Sequence, residues 1–267
     1  MRRILLLGMV FILLLSLCAC KAANPDIGST PASTTQAAIA DTTASTTEAA
    51  PETTEPAHSP LYLSEYTLQQ MQIYFEEVVL HMEYSDGTGN PSVVQKWKEP
   101  LCYRIDGNPT EEDLRILENL FAQLNLISGF PGIRAAAEGE INNLSISFLG
   151  PEDFRLAFSA AVNGEDAFGA TQFWYYTATN ELHTARIGYR TDIDQSVRAS
   201  ILVEEIINTL GISDTTLRKD SVVYQYSNDN MTLSDVDWAI LKLLYDPSIA
   251  CGMNVDQCNA ILQTLYY

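Results

Sequence analysis

The chain has 267 residues and a formal net charge of −19 at pH 7, because 34 acidic residues outweigh 15 basic ones. Such an acidic excess argues against a nucleic-acid partner, since phosphates require a basic surface. It also argues against direct binding to anionic lipid or acidic wall polymers unless divalent ions bridge the two surfaces. The sequence shows no basic cluster and no phosphate-binding glycine loop.

Residues 1–19 form a predicted secretory signal. Arg2 and Arg3 precede an apolar run from Ile4 to Leu17, which is too short to span a membrane. Cys20 follows the small residue Ala19, and this pattern resembles the lipobox of bacterial lipoproteins, in which the cysteine receives a lipid. We therefore expect a membrane anchor on Cys20 at the outer face of a bacterial cell. Ordinary cleavage with release is the alternative.

Residues 20–60 are rich in alanine, threonine, proline and serine, with almost nothing to bury. Such a segment cannot offset its ordering entropy, so we expect a disordered linker that reaches ~35 Å from the anchor. Long threonine-rich tethers of this kind resemble those of Gram-positive lipoproteins. Residues 61–267 are the right length for one domain.

The first half of the domain predicts a helix over 64–82, a strand over 98–105 and a helix that begins at Thr110. Alternating residues over 143–149 indicate another strand. The segment 154–158 either continues the sheet or forms a short turn. Of the cysteines, Cys102 falls in a strand pattern and is expected to be buried, whereas Cys251 and Cys258 are close enough in sequence to pair.

The second half predicts a hairpin of 172–176 and 182–189 across Thr179 and Asn180. Its aromatic run at 173–176 could stack on a sugar or peptide, but strands favour aromatics anyway, so core packing is the preferred interpretation. A buried helix, a loop and helices over 234–244 and 255–266 follow. This order predicts an α+β fold with a twisted mixed β-sheet backed by helices.

The segment from Glu204 to Asp214 carries the most informative motif. Its layout resembles the zinc-binding helix of metzincin peptidases, H-E-x-x-H-x-x-G-x-x-H/D. The resemblance assigns Glu205 as general base, Gly211 as the conserved turn glycine and Asp214 as third ligand. Glu204 and Asn208 stand where that family has histidines. The same segment is also explained by a buried helix that ends at a glycine, with solvated glutamates.

The two substitutions change the chemistry of the proposed site. Zinc prefers imidazole nitrogen or thiolate, whereas Glu204, Asn208 and Asp214 offer oxygen, which suits calcium, magnesium or manganese. The chain has only three histidines, and we interpret each as an ordinary surface or packing residue: His58, His81 and His183.

Two further segments extend the resemblance. Leu233 to Tyr245 resembles the closing helix of matrixin-type metzincins, and Trp97 to Ile105 resembles their first strand. Over roughly residues 92–253, the chain is similar to a family of secreted bacterial proteins catalogued as domain of unknown function 2927, which implies a zincin-like fold with a degenerate zinc motif. The methionine turn of metzincins is missing, because the corresponding residues are Ser221 to Tyr224.

These observations lead to three hypotheses. The first is a surface-tethered, metzincin-like lipoprotein without peptidase activity or cofactor, which retains the cleft as a binding or structural feature. The sequence does not identify a protein or cell-wall partner. The second is a metallopeptidase-like hydrolase with a divalent cation (Ca, Mn or Zn) on Glu204, Asn208 and Asp214, where Glu205 activates water. The third is a purely structural lipoprotein in which the motif helix only packs.

Overall fold

The structure is a computed structural model that describes residues 59, 61–80, 92–159 and 167–267. The predicted signal sequence, Cys20 and nearly all of the predicted linker lie outside the described residues, as do His58 and His81. Within the described part of the chain, no helix has the length and apolar character needed to cross a membrane.

Within the described residues, six strands form one mixed sheet. The strands are β1 (Lys96–Trp97), β2 (Leu101–Gly107), β3 (Ile133–Ala135), β4 (Leu144–Leu149), β5 (Gly169–Tyr176) and β6 (Glu181–Arg190). These strands pair in parallel, except that β5 runs antiparallel to β6. Strand β5 pairs with one edge of β6 along its length, so β4 and β1 both pair with the other edge of β6. Strand β5 therefore forms an edge of the described sheet.

The helices flank this sheet on both faces. They are α1 (Leu68–Phe75), α2 (Glu111–Leu124), α3 (Pro151–Ala157), α4 (Gln195–Thr209), α5 (Asp235–Tyr245) and α6 (Val255–Leu265), with a π-helical turn at Glu76–Leu80 that continues α1. Neighbouring residues of β6 show the two faces. Gly188 lies against the ring of Phe158, just after α3, whereas Tyr189 is buried in the main core and donates its hydroxyl proton to Leu202 O of α4 at 3.0 Å.

The predicted mixed sheet with helices is therefore confirmed. Capping residues explain where several of the helices begin. Thr110, where the sequence predicts a helix start, forms a capping box with Asp113 at the start of α2, and Ser234 caps α5 with Asp237. The helix predicted from residue 64 begins later, after the cap Thr67, and changes to a π-helical turn.

Three expectations from the sequence differ from the structure. The segment 154–158 is neither strand nor turn but belongs mainly to α3, because Pro151 at the first helical position and the acidic residues that follow it favour a helix start. The strand predicted over 98–105 begins later, as β2 at Leu101, and the two-residue strand β1 precedes the predicted range. The three-residue strand β3 carried no recognisable pattern. Cys102 is half-buried rather than buried.

The aromatic hairpin is only partly a core element. Phe173 and Tyr175 pack against the main core, but Trp174 and Tyr176 expose about half of their surface, at 45% and 56%. The cysteines at 102, 251 and 258 are free thiols in the structure. The structure thus does not contain the pairing of Cys251 with Cys258 that their spacing in the sequence allows.

Candidate functional site

The candidate site is built on α4. Asp194 caps this helix, since its carboxylate accepts a hydrogen bond from Ser196 N at 3.0 Å. Apolar residues occupy most of the helix circumference and are buried in the main core: Ile201, Leu202, Val203, Ile206, Ile207 and Leu210. A helix buried on most sides has little freedom to shift, so the polar side chains that it carries are held in fixed positions.

A buried ion pair also fixes the position of α4. Arg198 Nε donates to Asp113 Oδ1 at 3.0 Å, and neither side chain exposes more than 7% of its surface. Gln195 Nε2 donates to the same carboxylate oxygen at 2.7 Å. Burial raises the pKa of Asp113, but hydrogen bonds from Gln195, Thr110 and Arg198 outweigh it, so the pKa lies below its usual value. The charged pair thus joins α4 to the first turn of α2.

The structure brings the predicted site residues together. Asn208 Nδ2 donates to Asp214 Oδ1 at 3.3 Å. The carboxyl groups of Glu205 and Asp214 are near enough to Glu204 to add to the rise in its pKa that burial causes, and Asp214 adds in the same way to the rise at Glu205. Glu205 is buried, with 8% of its surface exposed, whereas the other residues of this acidic cluster are half-buried.

The turn after α4 explains why Asp214 returns to the helix. Gly211 has φ 96°, and a Cβ there would lie 2.2 Å from Gln95 O, so both the conformation and the close approach require glycine. Ser213 N then donates to Val78 O at 2.7 Å. Glu77 accepts hydrogen bonds from Thr215 Oγ1 at 2.6 Å and Thr216 N at 2.8 Å. The π-helical turn therefore holds the loop on both sides of Asp214.

Strand β5 supplies the other wall of the site. A Cβ on Gly169 would lie 2.6 Å from Glu205 Oε1 and 2.4 Å from Ile201 Cγ2. Thr171 Oγ1 lies 2.6 Å from Glu205 Oε2 and 3.0 Å from the backbone oxygen of Glu205. The side chain of Glu205 is thus enclosed between α4 and the edge strand.

The burial of Glu205 favours its protonated form near neutral pH. Burial is the main cause that raises its pKa to about 8; a hydrogen bond with Thr171 opposes the rise, and Asp214 adds to it. The Thr171 hydroxyl has one proton for two neighbouring oxygens of Glu205. A protonated carboxyl satisfies both contacts, because it donates to the hydroxyl while the hydroxyl donates to the backbone oxygen. Burial and the charges of Glu205 and Asp214 likewise raise the pKa of Glu204 well above its usual value.

The donor set does not fit zinc. Glu204, Asn208 and Asp214 supply oxygen, and Asn208 uses its amide nitrogen to bind Asp214. His183 lies on the hairpin, where its ring stacks on Tyr176 with centroids 4.3 Å apart. Among the described residues, no group of three or more His, Cys, Asp or Glu side chains has an arrangement suited to a metal ion. The Asn208 Oδ1 atom is nevertheless buried without a hydrogen-bond partner.

Two residues of the site were missed by sequence reasoning, namely Gly169 and Thr171. Both precede the hairpin predicted from residue 172. The contact of β5 with α4, at Thr171 and Glu205, joins residues 34 positions apart in the chain. A glycine at a strand end is consistent with a close approach of another element, but nothing in the sequence identifies that element as the helix with Glu205.

Replacement of Gly169 by alanine tests the close packing of β5 on α4. The new Cβ would overlap Ile201 and Glu205, so we expect Gly169→Ala to lower the free energy of unfolding by about 1–3 kcal/mol. Urea denaturation measures this loss. Thr184→Ala, an exposed change on the neighbouring strand, serves as the control and should stay within about 0.5 kcal/mol of the wild type. A neutral Gly169→Ala would show that the two elements are not in contact.

Comparison with known proteins places the chain in a family without assigning an activity. No curated protein matches the chain. A sequence model of the family described as "Protein of unknown function (DUF2927)" matches residues 68–264, which span α1 through nearly all of α6. Because this match covers most of the chain and the whole of the site on α4, the protein belongs to the DUF2927 family.

Proposed function

We propose that this protein is a lipid-anchored envelope protein whose metzincin-like domain is a binding or structural module and not a zinc peptidase. The observation that carries the proposal is the enclosure of the Glu205 side chain between α4 and β5. A general base must be ionised to accept a proton from water, whereas burial and the nearby Asp214 raise the pKa of Glu205 to about 8, although a hydrogen bond from Thr171 opposes the rise.

The arrangement around the glutamate supports the same proposal. The positions that carry histidines in metzincins hold Glu204 and Asn208, and the Asn208 amide is committed to Asp214. The two α4 side chains and Asp214 therefore form a linked polar cluster without imidazole. The extracellular location and the anchor on Cys20 rest on the sequence pattern of residues 1–20.

Peptide hydrolysis tests the proposal directly. The purified chain is incubated with a mixed peptide library and added zinc, with and without a chelator, and the products are read by mass spectrometry. We expect no cleavage that the chelator abolishes. Chelator-sensitive cleavage that disappears in the Glu205→Gln variant would refute the proposal, because it would show Glu205 acting as a base.

A hard-cation site is the second candidate, favoured by the buried oxygen of Asn208 that has no hydrogen-bond partner. A cation such as calcium or manganese prefers carboxylate and amide oxygens. Its charge would oppose the burial and the repulsion that raise the pKa values of Glu204 and Glu205. In this alternative Glu204, Asn208 and Asp214 hold the ion, and Glu205 activates water.

Calorimetric titration with calcium, manganese and zinc separates the two candidates. The second candidate requires saturable binding that is lost in Glu204→Ala and Asp214→Ala. Glu138→Ala, a change of an exposed glutamate outside the site, is the control and should bind as the wild type does. Absence of saturable binding, or equal binding in all variants, would remove this candidate.

A further inference from the structure

The face of the β5–β6 hairpin opposite α4 carries an exposed aromatic surface. Side chains alternate along β5: Phe173 and Tyr175 pack towards the main core, so Trp174 and Tyr176 point to the other face. Two strand positions separate the rings by ~7 Å, so they can form one continuous surface. This surface does not depend on the cluster around Glu205 and is independent of the function proposed above.

Neighbouring side chains hold both rings in place. The Arg186 guanidinium lies 5.9 Å from the ring centroid of Trp174 and 5.0 Å from that of Phe158. Its Nε donates to Gln172 Oε1 at 2.6 Å, and its Nη2 donates to Ala157 O at 3.0 Å. A guanidinium fixed in this way restricts the indole beside it, which lowers the entropy lost when a ligand binds.

The second ring is supported from β6. The register of the hairpin shifts between Trp174 and Tyr175, so His183 has no partner residue on β5. The His183 ring stacks on Tyr176 with an interplanar angle of 27°. His183 Nδ1 is bonded to Thr184 Oγ1 at 2.9 Å, which leaves the other ring nitrogen for a ligand. The exposed Thr184 hydroxyl adds a further polar group beside the rings.

The size of this aromatic surface fits a small ligand better than a protein. A Trp or Tyr side chain buries about 150–250 Å² when fully covered, so two rings that are 45% and 56% exposed offer only ~200 Å². A stable protein interface buries about 800 Å² on each partner. Two fixed rings edged by hydroxyl, amide and imidazole groups are instead suited to polyhydroxylated rings, which present flat C–H faces and equatorial hydroxyls.

The charge of the chain selects among such ligands. Glu181 is the one acidic residue in β5 and β6, but the whole chain carries a net charge of −19 and would repel an acidic polymer. Arg186 is committed to positioning Gln172 and Trp174. We propose that Trp174 and Tyr176 form a binding site for uncharged sugar residues of a glycan, with His183 and Thr184 as hydrogen-bonding partners.

Calorimetry of the purified full chain with chitotetraose, cellotetraose and mannotetraose tests this site, with tetragalacturonate as the acidic comparison. We expect at least one neutral oligosaccharide to bind, and Trp174→Ala and Tyr176→Ala each to weaken it at least tenfold. Trp174→Tyr should retain most of the affinity because it keeps a ring. Tyr226→Ala removes an exposed tyrosine of a different loop and is the matched control, expected to bind as the wild type does.

Three results would overturn the proposal. The first is no binding of any neutral oligosaccharide at about 10 mM. The second is binding that Trp174→Ala leaves intact while circular dichroism shows that the variant is folded. The third is concentration-dependent dimerisation in light scattering that Trp174→Ala abolishes, since this would assign the rings to a contact between two copies of the chain. If the Trp174→Ala variant does not fold, the same measurements are made on Tyr176→Ala and judged by the same criteria.

Discussion

The Arg198→Ala variant is expected to lose about 3–5 kcal/mol of its free energy of unfolding. Removal of the guanidinium leaves the Asp113 carboxylate fully buried without its charge partner, and it also removes a hydrogen bond of 3.1 Å from Arg198 Nη1 to Thr191 O. An uncompensated buried charge is among the most destabilising changes that a single substitution can make. Urea denaturation followed by circular dichroism measures the loss.

An exposed ion pair on α2, the helix that carries Asp113, provides the matched control. Arg115 pairs with Glu112 at the surface, where both side chains are at least 45% exposed. We expect Arg115→Ala to cost less than about 1 kcal/mol, because solvent screens an exposed pair. If both arginine variants lost the same small amount of their free energy of unfolding, the ion pair of Arg198 with Asp113 would not fix the position of α4.

The Glu205→Gln variant is expected to be more stable than the wild type above about pH 8 and no more stable near pH 4.5. The pKa of Glu205 is about 8 in the folded chain against an ordinary value of 4.5. Below pH 4.5 the carboxyl is protonated in both folded and unfolded states. Between pH 4.5 and about 8 the folded chain binds the proton more tightly, so the wild type loses stability as the pH rises, by about 1.4 kcal/mol per unit.

Glutamine cannot ionise and keeps the shape of the protonated carboxyl, with an amide that donates to Thr171 Oγ1. The variant therefore escapes this loss, and the difference at pH 8 should be on the order of 4 kcal/mol. Denaturation series of both proteins at several pH values measure it. Glu138→Gln, at an exposed position, should show no such pH-dependent difference. A Glu205→Gln variant that is destabilised equally at all pH values would show that Glu205 is ionised in the folded chain.

Local signals in the sequence were sufficient for the helices with strong caps. Helices α2 and α5 start where the sequence predicts them, after the N-caps Thr110 and Ser234, and each cap forms a capping box. The α3 segment was missed because its seven residues are too few for a helical period to show, whereas Phe154 and Phe158 suggested a strand or turn. Strand β3, with three residues, is shorter still and is specified by its pairing with β2.

Part of the candidate site could likewise be predicted from the sequence, and part of it could not. Helical spacing alone predicts that Glu204 and Asn208 share a face of α4. The return of Asp214 depends on contacts with Val78 and Glu77, which lie more than 130 residues earlier in the chain. The enclosure of Glu205 depends likewise on Thr171 in the edge strand. Such contacts follow from the assembled sheet and helices, and no local pattern of residue types encodes them.

Zinc content is the most direct test of the central proposal, which is that the oxygen donors around Glu205 do not form the zinc site of a peptidase. The purified chain is incubated with excess zinc, passed through gel filtration and analysed for bound metal, alongside an Asp214→Asn variant. We expect no retained zinc in either protein. Stoichiometric zinc that remains on the wild type and is lost from Asp214→Asn would contradict the proposal.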